Sequence, residues 1–456
     1  MTEIAEPRAG FRVIAQGSLA DPRKQAALDK VTGRMRDERV EAWEELPQIE
    51  AVRERAHEAR MKVVRDLDRY VGEFAASVRS AGGVVHEAAS AEEAAAQVVA
   101  ICRAHGATLA AKSKSMLSEE IGLNAALEAA DIKVVETDLG EYLLQLAGEH
   151  PAHIIAPAAE KTAAQAAELL SKAGGKPLTT ELDVLTRAAR EQLRETFLAA
   201  DVGITGANFG VCSTGSICLV ENEGNARLVT ALPRVHVALV GRERLVANLA
   251  DLAVLLKLLP RSATGQRLTS YTTLITGPRR AGEQDGPEEL HVIVVDNGRS
   301  SLLGGRYEEM LACIRCGACL NVCPVYRKAG GAAYSHAYSG PMGAVLVPLL
   351  AGLERAPSLP HASSLCGACT EACPVKIPLH ELLLDLRDDL VRERVASRKE
   401  RLAFTLWSFL WSHPAGYRAT TWLARRLSPL AGLGGPGRTW ARGRALPHLQ
   451  RPFRRR

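Results

Sequence analysis

Seven of the ten cysteines in this 456-residue chain lie between positions 313 and 373, and that crowding constrains the chain more than any other feature. The remaining three, Cys102, Cys212 and Cys218, are scattered. The first twenty residues have neither a basic start nor an apolar core, so no secretory leader is expected. In a chain expected to stay in the cytoplasm, disulfides are rare and clustered cysteines point to metal. The first run reads Cys313-Ile-Arg-Cys316-Gly-Ala-Cys319-Leu-Asn-Val-Cys323-Pro324. The second reads Cys366-Gly-Ala-Cys369-Thr-Glu-Ala-Cys373-Pro374.

The first run has the C-x2-C-x2-C-x3-C-P spacing of bacterial ferredoxins. Three thiolates two residues apart on a tight loop reach three corners of one iron–sulfur cube, and the fourth, one residue further on, turns toward a neighbouring cube. Gly317 lets the backbone approach the inorganic core, and Pro324 ends the loop. The second run is the same pattern without its first cysteine, whose position is held by Ser363. Crossed ligation assigns Cys313, Cys316, Cys319 and Cys373 to cluster one. It leaves Cys323, Cys366 and Cys369 for cluster two, whose fourth corner is then water, a side chain such as Ser363 or Ser364, a partner's group, or a missing iron. Two 4Fe-4S clusters are expected, the second with a 3Fe-4S or non-cysteine alternative. Zinc and a single cluster are the competing readings; seven cysteines in two runs, each closed by Cys-Pro, fit iron–sulfur better.

Residues 22–80 are charged and helical in pattern, and Gly82-Gly83 ends them. From 84 to 297, β-branched runs such as Lys133-Val-Val-Glu, His153-Ile-Ile-Ala, Ser216-Ile-Cys-Leu-Val, Val235-His-Val-Ala-Leu-Val and His291-Val-Ile-Val-Val alternate with Ala-rich helical stretches. This predicts an α/β domain with a largely parallel sheet. Gly203-Ile-Thr-Gly-Ala-Asn-Phe-Gly and Thr214-Gly-Ser are expected to be loops. Helical spacing returns at Met342–Leu353, where Pro348 should kink or delay the helix, and at Leu379–Leu390. The expected domains are a helical extension (1–83), the α/β domain (84–297), a mainly helical dicluster ferredoxin domain (298–392) and a basic tail (393–456).

Charge is uneven. The whole chain is +5, but residues 401–456 hold eleven arginines, no lysine and no acid, so the remainder is −6. That excludes a basic body built for nucleic acid. The apolar, aromatic segment Leu402–Trp411 is expected to dock on its own domain or a partner, with a membrane surface as the alternative. No stretch is long and apolar enough for a membrane span. Gly432-Leu-Gly-Gly-Pro-Gly437 matches a dinucleotide motif by letter but follows no strand, and no Walker A loop occurs. Lys112-Ser-Lys114-Ser ends a plausible strand, where it could bind a carboxylate or phosphate or simply be solvated. Glu221 and Glu223 follow another strand, where acids are more often solvated or paired than reactive. Cys212 and Cys218 are expected to be buried structural thiols, and the histidines fall into no metal-ligand spacing.

Together, Lys112-Ser-Lys-Ser-Met, Glu136-Thr-Asp-Leu-Gly-Glu141, Ile204-Thr-Gly-Ala-Asn-Phe, Thr214-Gly-Ser, Val220-Glu-Asn-Glu-Gly-Asn-Ala-Arg227 and Gly286-Pro-Glu-Glu resemble the lactate-utilization (LUD) domain. With the cysteine runs and the tail motif Trp440…Arg444-Ala-Leu-Pro…Phe453-Arg, nearly the whole chain resembles the lactate utilization protein B family. A departure is Glu160, where the resemblance implies histidine. The resemblance implies a fold for 84–297 related to sugar-phosphate isomerases and CoA transferases. It also implies an iron–sulfur subunit of a multi-subunit system oxidising L-lactate to pyruvate, so that lactate serves as carbon source. The implied partners are a cysteine-rich subunit like heterodisulfide-reductase modules and a second LUD protein. The implied location is cytoplasmic, with peripheral contact at the inner face of the membrane allowed by the tail. No catalytic residue is assigned. An iron–sulfur subunit of another 2-hydroxy-acid oxidase, for example of glycolate, and a LUD-based redox or ligand sensor are the alternatives.

Overall fold

The computed structural model describes residues 10–427 apart from 152, 396 and 397. The glycine motif at 432–437 and the tail motif at 440–454 lie outside the described residues. Three helices, Pro22–Glu44, Ile49–Val64 and Leu67–Ser80, lead to the first strand. Asp21 caps the first of them, its side chain accepting from the Arg23 and Lys24 N–H groups, and Pro22 stands where a missing N–H costs nothing.

Six strands form one parallel sheet: β1 (Val84–Ala88), β2 (Leu109–Lys112), β3 (Lys133–Glu136), β4 (Val202–Gly206), β7 (Val235–Gly241) and β10 (Glu289–Val295), in the order β1-β10-β7-β4-β2-β3. A second sheet holds β5 (Phe209–Val211), β6 (Ser216–Glu221), β8 (Leu245–Val246) and β9 (Tyr271–Ile275), in the order β8-β5-β6-β9. The run at 216 is therefore a strand, but it pairs antiparallel with β5 and β9. All seven residues of β7 are buried, as expected of a central parallel strand covered on both faces.

Two sequence expectations give way here. His153-Ile-Ile-Ala is not a strand; it is a run of bends, with His153 and Ile154 buried. Its apolar side chains pack against the first cysteine loop instead of a sheet. Gly203–Gly206 is not a loop either, for β4 runs through it. The glycine is there for proximity: a Cβ at Gly203 would stand 1.9 Å from the Val229 carbonyl oxygen of helix Asn225–Ala231, which lies across the strand. Only Ala207 and Asn208 separate β4 from β5.

No strand follows Val295 among the described residues. The cysteine segment consists of short helical turns joined by loops, with longer helices at Gly340–Ala351 and Leu379–Arg392. Pro348 sits inside the first of these, which closes three residues later. The described residues up to Arg387 form one compact unit. Within it a single hydrophobic core runs from Ala56, Met61 and Val64 of the second helix, through Leu252–Leu259, to Leu320, Leu346 and Leu383, and takes in Cys316, Cys319, Cys323, Cys369 and Cys373. In the second unit, Asp388–Arg456, helices Arg398–Ser412 and Pro414–Leu427 pack together. Trp411 meets Trp407 and Tyr417 with ring centroids 5.1 and 5.2 Å apart, yet Leu402, Phe404, Trp407 and Phe409 remain more than half exposed.

Replacing Gly203 by alanine should lower stability by about 1–3 kcal/mol, because backbone rather than a movable side chain blocks the new methyl. Gly72→Ala, in an exposed helical position with nothing within 4 Å, should instead stabilise by about 0.5–1 kcal/mol. Thermal melts of the two variants beside the parent check both signs.

Candidate iron–sulfur centre and adjoining cavity

The two cysteine runs fold alike. Arg315, the residue before Cys316, has φ +59°, and Leu365, before Cys366, has φ +55°. Gly317 and Gly367 follow at +76° and +82°. Each glycine then starts a one-turn helix, Ala318–Val322 or Ala368–Glu371. Left-handed backbone at a non-glycine residue is costly, and its repetition at equivalent positions marks two equivalent loops. The Cys313 sulfur accepts the Arg315 N–H at 3.4 Å, and the Ser363 hydroxyl accepts the Leu365 N–H at 3.1 Å. Ser363 thus occupies the place of the missing cysteine in the second loop.

The thiols group across the runs. Burial pushes the Cys316 thiol up, and Cys373 and Cys313 add to it as charged neighbours. Burial raises Cys373 to about 12, with Cys313 adding to it. Burial raises Cys369 to about 11, with Cys323 as its nearest charged influence and Cys366 behind it. Cys319 feels members of both runs. Cys313, Cys316, Cys319 and Cys373 line one small, largely apolar chamber with Ile154, Ile314 and Val375. Cys366 is exposed, whereas Cys323 and Cys369 are buried.

A tetrahedral zinc site, with Zn–S near 2.3 Å, brings its sulfurs within about 4 Å of one another. Among the described residues no three of these sulfurs lie within 4.8 Å of each other. Four of them instead line one chamber, which fits an inorganic cube. The Tyr334 hydroxyl fits it too: it is buried beside Cys323 and Cys319 and lacks a hydrogen-bond partner, while a cluster offers sulfide acceptors.

Sequence reasoning missed the groups that hold these loops. Arg53 donates to the carbonyls of Cys373 (2.8 Å) and Glu371 (2.9 Å). Fully buried Arg60 donates to the carbonyls of Ala312 (3.2 Å), Leu311 (3.0 Å), Leu245 (2.5 Å) and Glu243. Arg244 donates to Cys313 O (2.7 Å) and Ile314 O (3.3 Å). His153 ties the segment 153–155 to the loop, its Nε2 3.0 Å from Asn321 Oδ1 and its Nδ1 accepting the Ile155 N–H. A Cβ on Gly317 would press on Ile155 at 3.1 Å, so this loop seats tightly.

The carboxyl ends of the strands carry the other charged residues. Lys112 is not solvated: its ammonium is fully buried between Glu136 (2.7 Å) and Glu119 (3.2 Å). Burial raises the carboxyl of nearby Glu141 to about 8, Glu136 adding to it. Lys114, Glu221 and Glu223 line a cavity of about 370 Å³. Ile154 and Arg315 belong both to that cavity and to the cysteine chamber. Glu160 pairs with Lys24 at 2.5 Å and accepts the Gly331 N–H at 3.2 Å, beside a separate cavity of about 790 Å³. Cys212 and Cys218 are buried with thiols raised to about 12 by burial, as inert structural groups are. The fold also gathers His105, Glu289 and His291, which are not adjacent in the sequence, within ligand distance of one another.

Residues 71–295 match the LUD domain and residues 309–377 match a 4Fe-4S dicluster domain. These assignments define a two-cluster iron–sulfur protein built on a LUD domain. Lactate utilization protein B of Bacillus velezensis is 48% identical over 409 residues, covering 89% of this chain and 86% of that protein. Its namesake in Macrococcus caseolyticus is 48% identical (84% and 80% covered), and that of Bacillus subtilis 45% identical (93% and 90%). The chain belongs to the lactate utilization protein B family.

The buried Glu141 gives a testable pH dependence. The folded chain keeps a proton there up to about pH 8, while an unfolded chain releases it near 4.5. The resulting contribution is complete below 4.5 and is lost as pH rises through 8, so stability should fall over that interval. Glu141→Gln should flatten the slope, as chemical-denaturation midpoints at stepped pH would show.

Proposed function

We propose that this chain is the electron-transfer subunit of a multi-subunit system that oxidises L-lactate to pyruvate. Its partners are a cysteine-rich subunit of the heterodisulfide-reductase kind and a second LUD protein. The observation that carries the reading is that Cys373, the last cysteine of the second run, lines the same chamber as Cys313, Cys316 and Cys319 of the first. Cys313, Cys316, Cys319 and Cys373 hold cluster one. Cys323, Cys366 and Cys369 hold cluster two, with the Ser363 hydroxyl at the position equivalent to Cys313 completing it. When bound, such clusters supply one-electron carriers, so two of them match the two electrons released per lactate. The protein's own part is to keep the first chamber dry, to place arginines beside it, and to present Cys366 at the surface.

The exposed aromatic faces of helices Arg398–Ser412 and Pro414–Leu427 suit docking to a partner subunit, with peripheral membrane contact as the alternative. The exposure of Cys366 favours a second reading, a LUD-based redox sensor with a labile second cluster. Lactate-driven electron flow in the reconstituted subunits, absent for a sensor, separates the two. A panel including glycolate tests whether another 2-hydroxy acid is the substrate.

Purified anaerobically, the chain should be brown and carry roughly seven to eight irons. Cys316→Ser should remove about half of that iron and abolish growth on lactate; a colourless chain with one zinc would falsify the proposal. Ser363→Cys should preserve the iron content and change the electron paramagnetic resonance signal of the second cluster only. An unchanged spectrum would remove Ser363 from the fourth corner.

A further inference from the structure

The cavity at the carboxyl ends of β2, β4, β6 and β7 has no role in electron transfer beyond its position. At about 370 Å³ it lies near the small end of metabolite pockets, roughly 300–1,000 Å³. Its charges are of two kinds that do not cancel locally. Asp138 and Glu221 are committed to the backbone: Asp138 accepts the Glu141 N–H, and Glu221 accepts those of Ala226 and Arg227. Arg244 is committed to loop carbonyls, and Arg315 pairs with Glu243 at 3.0 Å. Lys114 and Glu223 are less engaged. The Lys114 ammonium, with three N–H donors, gives one to the Ile155 carbonyl at 2.9 Å and, among the described residues, has no carboxylate within ion-pair distance. Glu223 accepts the Leu139 N–H at 3.1 Å. Burial, with Asp138 nearby, raises its carboxyl to about 7, and burial lowers the Lys114 ammonium.

A partly buried cation and a carboxylate that share a cavity without touching leave a gap for something that satisfies both. Four acids (Asp138, Glu221, Glu223, Glu243) and four cations (Lys114, Arg244, Arg299, Arg315) line the cavity, and Arg299 and Arg315 are held by Glu243. The acids acting on Lys114 disfavour a second negative charge such as that of a phosphate dianion, and a neutral sugar leaves the lysine without an anion. A short acid carrying one negative charge and one hydroxyl donor meets both demands. We propose that this cavity binds a 2-hydroxycarboxylate, with Lys114 holding its carboxylate and Glu223 accepting its hydroxyl hydrogen. The proposal rests on the reading that the chain serves hydroxy-acid oxidation, and it names where the acid sits. Ile154 and Arg315 line both this cavity and the chamber of Cys313, Cys316, Cys319 and Cys373, so an acid bound there would border that chamber.

Calorimetric titration of the anaerobically purified full chain with L-lactate, propionate and inorganic phosphate tests this without any partner. L-lactate should bind one to one. Propionate, which lacks the hydroxyl, should bind at least about tenfold more weakly, and phosphate more weakly still. Lys114→Met should weaken lactate by about tenfold or more, Lys114→Arg should restore part of the loss, and Glu223→Gln should narrow the gap between lactate and propionate. Lactate should also alter the paramagnetic resonance spectrum of the reduced cluster one. Phosphate binding tighter than lactate, equal affinity for lactate and propionate, or wild-type affinity in a folded Lys114→Met chain would each overturn the proposal. The lactate–propionate comparison needs no variant, so a variant that fails to fold does not rescue the idea. If the full chain binds no hydroxy acid but lactate still reduces its clusters in the reconstituted system, the cavity proposal falls and the electron-transfer reading stands. If lactate binds but never reduces the clusters, the cavity proposal stands and the electron-transfer reading falls.

Discussion

Three buried guanidinium groups tie the cysteine loops to the rest of the protein. Arg53 and Arg60 come from the second N-terminal helix, Arg244 from the turn between β7 and β8, and all three end on loop carbonyls. Carbonyls in a tight loop point outward and, once buried, must find donors. An arginine supplies up to five donors in a rigid fork, so one side chain fastens several. Removing such a group leaves both unsatisfied carbonyls and a cavity, a loss of several kcal/mol. The loops can therefore hold their shape only when the N-terminal helices and the LUD sheets are already folded around them. The continuous core from Ala56 to Leu383 expresses the same dependence in apolar contacts.

The arginines also set the charge around the chambers. A cluster with four thiolates carries net negative charge, and burying it in an apolar chamber is expensive without compensation. Arg39 feels the Cys316 thiol, and Arg244 and Arg315 feel Cys313. Glu243 balances the last two, and Arg299 binds Glu243 and Glu120 at 2.6 and 2.8 Å, so the positive groups are held in a network rather than left to repel each other. Fixed positive charge beside a cluster favours its reduced, more negative state.

The cysteine runs were legible because metal ligands must recur at fixed spacing along the chain. The parallel strands at 133, 235 and 291 were legible because fully buried strands are continuous β-branched runs. His153-Ile-Ile-Ala carried the same local signal and folded otherwise, since its apolar residues are claimed by the cysteine chamber, a partner more than 150 residues away in sequence. Gly203 misled in the opposite direction: its glycine answers to a neighbouring helix, not to a turn. Arg53 and Arg60 sit in a helix whose many charges look solvated, and nothing in its periodicity sets those two apart. The cavity residues Lys114 and Glu223 were visible as strand-end charges, but only the fold brings them to one space.

The asymmetry between the two loops gives the arrangement a direction. The first chamber is lined by Ile154, Ile314 and Val375 beside its four cysteines and borders the cavity at the strand ends. The second loop, with Cys366, reaches the surface. Cys319 stands between, influenced by cysteines of both groups. In the proposed electron-transfer role, entry at the arginine-flanked chamber and exit at the exposed Cys366 would use both ends of this geometry.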